Sequence, residues 1–167
     1  MLESAAVTDR DEFLVVDRVS KRYRLPGGGD MLAVRDVSFT QAKGETLGVV
    51  GESGCGKSTL AQLILHLVSP SSGEVRFRGE RLAALRPAAL RRMRRDMQMV
   101  FQDPRSSLDP RMRVGRLLEE PLLIHEIGSR AERRARVAQL IDLVGLPPDA
   151  VGRFPHEFSG GQRQRVA

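Results

Sequence analysis

Residues 51–58 of this chain read Gly51-Glu52-Ser53-Gly54-Cys55-Gly56-Lys57-Ser58. All the fixed positions of the pattern G-x-x-x-x-G-K-[ST] are filled. A compact apolar segment, residues 46–50, comes directly before this stretch, and an amphipathic segment beginning at Leu60 follows it. A strand, a glycine-rich loop and a helix in that order are the context that the pattern requires. The stretch therefore predicts a phosphate-binding loop within an α/β fold.

The residue types in this loop suit a nucleoside triphosphate. Glycines let the backbone turn its N–H groups inward, and with the helix N-terminus these amides form a positive nest for phosphate oxygens. Lys57 would place a full charge on the terminal phosphates, and Ser58 would offer a hydroxyl to Mg²⁺. A plain glycine turn is the weaker interpretation. The candidate nucleotide contacts are Gly51, Glu52, Ser53, Gly54, Cys55, Gly56, Lys57, Ser58 and Thr59.

Composition indicates a soluble globular protein. Hydrophobic residues make up 41% of the 167 residues and charged residues 29%, both ordinary values. No apolar run approaches the roughly 18 residues of a membrane helix, and the polar, acidic start does not resemble a secretory signal. A cytosolic protein is expected. Cys55 is the only cysteine, so an internal disulfide is excluded, and a small residue tolerated in the loop is preferred over a redox role.

The net charge of +6 raises the question of a nucleic-acid partner. Only three of the 27 basic residues are lysines, and the arginine-rich stretch 86–95 surrounds an amphipathic segment. Aromatic residues make up 4% of the chain, too few for base-stacking platforms. We therefore interpret the arginines as a solvated helix face and expect no nucleic-acid partner.

The first hundred residues show an alternation of strand and helix signals. Residues 13–19 and 32–39 read as strands separated by the turn cluster 26–30, and 46–50 reads as a strand running into the loop. Helical spacing of apolar residues predicts a helix from Leu60 to Val68, ended by Ser69-Pro70. Three further elements are expected: a short strand with Val75 and Phe77, a helix after Pro87 with Leu90 and Met93, and a buried parallel strand over residues 97–101.

From Asp103 onward the pattern is helical. Ser129 and Glu132 form a predicted capping box, and the helix that they open ends at Gly145 and Pro147. Its apolar stripe consists of Val137, Leu140, Ile141 and Val144. Strands and helices followed by helices alone predict an α/β core with an N-terminal antiparallel β subdomain and an inserted helical subdomain.

Two adjacent glycines near the chain's end narrow the class of nucleotide-binding protein. In Phe158-Ser159-Gly160-Gly161-Gln162 a capping box explains the serine and the glutamine. It does not explain the glycines, each of which weakens a helix by about 1 kcal/mol. The segment resembles the signature motif of ATP-binding-cassette (ABC) ATPases. The resemblance implies that Ser159, Gly160, Gly161 and Gln162 lie across the γ-phosphate of ATP in the opposite subunit, so that hydrolysis depends on dimerisation.

Two other positions match the same family. Gln102 follows the apolar segment 97–101 and resembles the Q-loop glutamine, which in the family senses Mg²⁺ and the attacking water. The resemblance thus implies catalytic roles for Gln102 and Lys57, and Mg²⁺ contacts for Ser58 and Gln102. Tyr23, the only tyrosine, resembles the aromatic residue that stacks on adenine. As an isolated observation, an edge-strand aromatic packed on the sheet is equally good.

Longer segments resemble the ATPases of oligopeptide and dipeptide importers. They are residues 44–48, 101–112 and 153–159, and the Gly-Cys-Gly-Lys form of the loop is similar to the second of two paralogous ATPases. Nickel and glutathione importers belong to the same group. The resemblance implies ATP and Mg²⁺ as cofactors and a peripheral position on the cytoplasmic face of the inner membrane. The implied partners are a second, paralogous ATPase subunit, membrane permeases docking near residues 103–118 and, indirectly, a solute-binding protein.

The sequence is expected to contain only part of an ATPase domain. Residues 12–102 would form the β subdomain and the partial core, 103–158 the helical subdomain, and 159–167 the signature and the start of its helix. The resemblance implies that the hydrolytic carboxylates lie in an apolar strand ending in Asp-Glu soon after the signature. No such strand follows Gln162 in this sequence, and His156-Glu157 is expected to pack or lie at the surface. A fragment without the hydrolytic carboxylates, inactive alone, is therefore expected. A soluble non-transport ABC ATPase and a noncatalytic nucleotide-binding fragment are the alternatives.

Overall fold

The computed structural model describes residues 12–101 and 108–167. The chain divides after Met97 into two compact units. We call them the sheet unit, up to Met97, and the helical unit, from Gln98 onward. The predicted boundaries at residues 102 and 158 remain predictions. Gln102 and the five residues after it lie outside the described residues.

Four antiparallel strands form the sheet of the first unit. They are β1 (Glu12–Arg24), β2 (Asp30–Ala42), β3 (Ser72–Phe77) and β4 (Glu80–Arg81), in the spatial order β2-β1-β3-β4. The strands predicted over residues 13–19 and 32–39 are confirmed and extend further at both ends. Between them the Leu25 amide donates to the Gly29 carbonyl over 3.0 Å, which closes the predicted turn.

One face of this sheet carries the core of the sheet unit. Val16 and Val19 of β1 are almost fully buried, together with Leu63 and Leu82. Leu63 belongs to α1 (Lys57–Ile64), and Leu82 to a 3₁₀ turn, Leu82–Ala84. Helix α2 (Pro87–Met93) confirms the helix predicted after Pro87, and a second 3₁₀ turn, Arg94–Asp96, follows it. Leu90 and Met93 pack against the same core, so short helices cover the face that β1 makes apolar.

A bulge interrupts the pairing of β1 with β2 at Ala33. Lys21 lies opposite Val34 and Arg22 lies opposite Leu32, so Ala33 has no partner residue on β1. An extra residue in one strand bends that strand and turns its backbone groups out of the ladder. The carbonyl oxygen of this unpaired residue, Ala33, lies beside Gly56.

Two strand predictions are wrong for the described residues. Neither residues 46–50 nor residues 97–101 form a strand there. Val50 is 92% exposed and Val100 is 87% exposed. A strand needs a neighbour to take its backbone hydrogen bonds, and no described strand pairs with either segment. Apolar composition indicated burial but supplied no partner.

The end of α1 is a further correction, because the helix ends at Ile64 rather than at Val68. His66 has a positive φ of 51°. The Leu67 amide donates to the Gln62 carbonyl over 2.9 Å, and the His66 amide donates to the Leu63 carbonyl over 3.0 Å. These two bonds are those of a Schellman motif, in which a left-handed residue closes the helix. Here histidine occupies the position that glycine usually takes.

His66 makes the stability of the sheet unit depend on pH. Burial, and secondly the charge of Arg94, lower the pKa of His66 below its ordinary value. The unfolded chain therefore binds a proton at a pH where the folded chain does not, so stability is lost as the pH falls below about 6.5. We expect His66→Asn, which tolerates a positive φ, to flatten this loss.

Urea unfolding followed by Tyr23 emission at pH 7.5 and pH 5.5 measures the effect. The control is His125→Asn, which alters a histidine of the helical unit. An equal loss of stability in His66→Asn and in the unsubstituted chain contradicts the prediction.

The described part of the helical unit contains three helices and two 3₁₀ turns. They are α3 (Val114–Ile124), α4 (Arg130–Leu143), α5 (Gly160–Val166) and the turns Pro148–Gly152 and Pro155–Glu157. Both capping boxes predicted from the sequence, at Ser129 and at Ser159, are confirmed. The core comprises Val114, Ile141, Leu146, Ala150, Phe158 and Val166. None of the helices in the described ranges has the length and apolar character of a membrane span.

Candidate nucleotide-binding site

The loop at residues 51–56 connects the extended segment 46–50 to α1. Gly54 and Gly56 have positive φ angles of 83° and 99°, which residues with a Cβ rarely adopt. The Cys55 amide donates to the Glu52 carbonyl over 3.3 Å, and the Leu60 amide donates to the Gly56 carbonyl over 2.8 Å. The loop therefore turns back on itself and enters the helix directly, as the motif predicts.

The bulge in β2 supports this loop. A Cβ built on Gly56 would lie 2.2 Å from the carbonyl oxygen of Ala33, a distance that no side chain tolerates. Gly56 thus allows the loop backbone to rest on the backbone of the sheet. Sequence reasoning missed Ala33, since nothing in an alanine's identity signals a bulge.

Lys57, the first residue of α1, folds its side chain back over the loop. Its Nζ donates to the carbonyl oxygens of Gly51 (2.7 Å) and Glu52 (2.6 Å) and lies 3.6 Å from Cys55 Sγ. None of these contacts is an acidic side chain, so among them no carboxylate competes with phosphate oxygens for the ammonium. The Cys55 thiol itself is exposed and lies 2.7 Å from where a Cβ on Gly51 would stand.

The N-terminus of α1 has the properties of an anion site. No side chain caps it at Gly56, and its first turn contains no acidic residue. Its amides therefore keep their hydrogen-bonding capacity, and the helix dipole favours negative charge there. Ser58, the second helical residue, is exposed. Within residues 12–101 and 108–167 no cluster of three or more His, Cys, Asp or Glu side chains forms a metal site.

Tyr23 lies on β1, beside the bulged segment of β2. It pairs with Met31, two residues along β2 from Ala33, which corresponds to roughly 7 Å along the strand. Its ring is half-buried, and Lys21 Nζ lies over it at 5.2 Å from the centroid. Sequence reasoning missed Lys21, although its position two residues before Tyr23 in a strand places both on one face of the sheet.

A cleft of about 530 Å³ lies beside the loop, between β2 and α1. Apolar side chains line most of it, among them Val34, Val50 and Leu60. Cys55, Gly56 and Lys57 of the loop also line the cleft, so the loop backbone and one ammonium border an otherwise largely apolar space.

The segment at residues 159–162 lies in the helical unit. The Gln162 amide donates to Ser159 Oγ over 3.3 Å, and the Ser159 amide donates to Gln162 Oε1 over 2.9 Å. Both glycines between them are exposed, and a Cβ on either would have no neighbour within 4 Å. The chain's own packing therefore does not require glycine at these two positions. Gln102, the other predicted site residue, lies outside the described residues.

Comparison with known proteins shows the family to which this chain is similar. The family model described as "ABC transporter" matches residues 34–167. The chain is 54% identical over 134 residues to the "Glutathione import ATP-binding protein GsiA" of Pectobacterium atrosepticum, which covers 80% of this chain and 22% of that protein. It is 48% identical over 162 residues to the "Probable peptide ABC transporter ATP-binding protein y4tS" of Sinorhizobium fredii. That match covers 93% of this chain and 46% of the relative.

Solved structures agree with the sequence relatives. The chain is 31% identical to the ATP-binding cassette MJ0796, solved as a dimer in a post-hydrolysis state with ADP and Pi, with a TM-score of 0.78 and coverage of 92% of this chain and 66% of that one. The chain thus spans less than half the length of both curated relatives. The matched family model, the identity and the shared fold together show that this chain belongs to the ABC transporter family, within its ATP-binding cassette.

Proposed function

We propose that this chain is the ATP-binding part of an ABC importer ATPase, whose binding and hydrolysis of ATP drive uptake of oligopeptides or dipeptides. The geometry of the phosphate loop carries the proposal. Lys57 Nζ stands against the carbonyls of Gly51 and Glu52, and the uncapped amides of α1 face the same loop. The printed names of two relatives, a glutathione importer and a probable peptide transporter, support the solute class.

The loop residues would have distinct tasks. The amides of residues 51–59 would bind the β- and γ-phosphates, and Lys57 would neutralise charge on the terminal phosphate. Ser58 would give one hydroxyl ligand to Mg²⁺, and Gln102 would contribute from the segment after residue 101. Bound Mg²⁺ supplies charge stabilisation to the phosphates. Tyr23 would stack on the adenine.

A second ATPase subunit would complete the site. Ser159, Gly160, Gly161 and Gln162 would approach the γ-phosphate bound by the partner. The two glycines support this role, because nothing within the chain occupies the space beside them. A bare backbone there permits close approach of an anion. Membrane permeases and a solute-binding protein would complete an importer on the cytoplasmic face of the inner membrane.

The glycines of the signature give a test in which stability and function change in opposite directions. We expect Gly161→Ala to raise the stability of the chain by about 0.5–1 kcal/mol, because alanine favours the helix. We expect the same change to lower solute uptake at least about tenfold, because the added Cβ stands where the partner's phosphate approaches. Chemical unfolding and uptake of a labelled dipeptide by cells carrying the substitution measure the two effects.

Gly152→Ala is the matched control. Gly152 lies in the same unit, has no positive φ, and a Cβ there meets only Arg113 at 3.9 Å. Uptake of labelled glutathione and of nickel runs in parallel. Loss confined to nickel transfers the proposal to a nickel importer, and unchanged uptake of all three solutes refutes the importer function.

A further inference from the structure

Lys21 is held in place by two contacts. It stands two residues before Tyr23 in β1, so both side chains lie on one face of the sheet. Its Nζ lies over the Tyr23 ring, 5.2 Å from the centroid, which is within the range of a cation–π interaction. The ring itself is half-buried. One face of the ring is thus covered by a cation.

The second contact is a hydrogen bond from the ammonium to the chain that follows α1. Lys21 Nζ donates to the carbonyl oxygen of Ser69 over 2.7 Å. Ser69 follows the Schellman turn that closes α1, and α1 begins at Lys57 in the phosphate loop. A lysine side chain is long and flexible, and the hydrogen bond to the Ser69 backbone carbonyl restricts that freedom. One ammonium therefore links the Tyr23 ring to the segment behind the loop's helix.

We propose that Lys21 is a positioning residue for base recognition, holding the Tyr23 ring so that its other face receives the adenine of ATP. This inference rests on the proposed function, since it assumes that Tyr23 stacks on the base. A ring already oriented loses little conformational freedom when the base arrives, and binding is stronger for that reason. A ligand with no base gains nothing from the arrangement.

Tyr23 provides a direct reporter. It is the only tyrosine of a chain without tryptophan, so intrinsic fluorescence comes from this ring. We expect Lys21→Met to lower the Tyr23 emission anisotropy of the nucleotide-free chain, because the ring is released. We expect the Kd for ATP to rise about two- to fivefold, the amount that an exposed cation–π contact is worth. The Kd for tripolyphosphate should not change.

Two further variants separate positioning from folding. Lys21→Arg keeps a cation that stacks on an aromatic ring. Its Tyr23 anisotropy and its Kd for ATP should equal those of the unsubstituted chain. Lys21→Gln keeps a hydrogen-bond donor toward Ser69 without the charge, and it should behave like Lys21→Met in a chain that retains its fold. Lys43→Met, at an exposed turn lysine, is the matched control.

The outcomes distinguish this inference from the proposed function. If the unsubstituted chain binds ATP and neither Lys21→Met nor Lys21→Gln changes the anisotropy or the affinity, the role of Lys21 is overturned and ATP binding stands. Equal weakening of ATP and tripolyphosphate also overturns it, because Lys21 then acts on the phosphates. If the unsubstituted chain binds neither ligand, the proposed function fails as well.

Discussion

Replacing Lys57 by alanine should weaken ATP binding about 10- to 150-fold. Among the described residues, Lys57 is the only side-chain cation that contacts the loop carbonyls at residues 51 and 52, and hydrogen bonds to charged groups are worth about 1.5–3 kcal/mol each. Losing that charge leaves the α1 amides as the main attraction for the phosphates. Titration with a fluorescent ATP analogue in the presence of Mg²⁺ gives the two Kd values.

Lys43→Ala is the control for the loss of one positive charge. Lys43 lies in the exposed turn after β2, and its removal changes the net charge by the same amount. The Kd of the Lys43→Ala variant for ATP should stay within a factor of two of the Kd of the unsubstituted chain. Equal weakening by both substitutions would mean that overall charge, and not the loop, attracts the nucleotide.

Gly56→Ala should destabilise the sheet unit by at least about 2 kcal/mol and remove measurable ATP binding. The new methyl group would stand 2.2 Å from the Ala33 carbonyl, and the backbone at φ 99° is itself strained for a residue with a Cβ. The clash is relieved only if the backbone at Ala33 or in the loop moves, because the clashing atom is a backbone carbonyl oxygen. Urea unfolding followed by Tyr23 emission measures the stability, and the same ATP titration measures the binding.

Gly54→Ala separates the clash from the strain. Gly54 also has a positive φ, 83°, but a Cβ there would have no neighbour within 4 Å. This variant should lose about 1–2 kcal/mol from strain alone. If Gly56→Ala and Gly54→Ala have the same unfolding free energy, the contact with the β2 bulge does not support the loop.

Some of the fold was predictable because it depends on local chemistry. The capping boxes at Ser129 and Ser159 were predictable because a side chain and an amide three residues apart satisfy each other. Strands β1 to β3 followed from apolar alternation and from the glycine turn at residues 27–29. These signals require only residues that are close together along the chain.

Other features depended on partners that a sequence does not show. Residues 46–50 and 97–101 are apolar enough for buried strands, yet no described strand takes their hydrogen bonds. Helix α1 ends at Ile64, before the expected proline, because His66 closes it with a left-handed turn. A histidine at that position is uncommon, so composition gave no warning.

The same distinction applies to the candidate site. The sequence alone predicted the phosphate loop and the signature, because phosphate binding restricts which residue types and spacings work. Only the tertiary structure placed the Ala33 carbonyl under Gly56 and the Lys21 ammonium over Tyr23. These supports come from a strand bulge and from a turn 48 residues away along the chain. Contacts of this kind depend on where the backbones of distant elements lie, and many different residue types are compatible with the same backbone position.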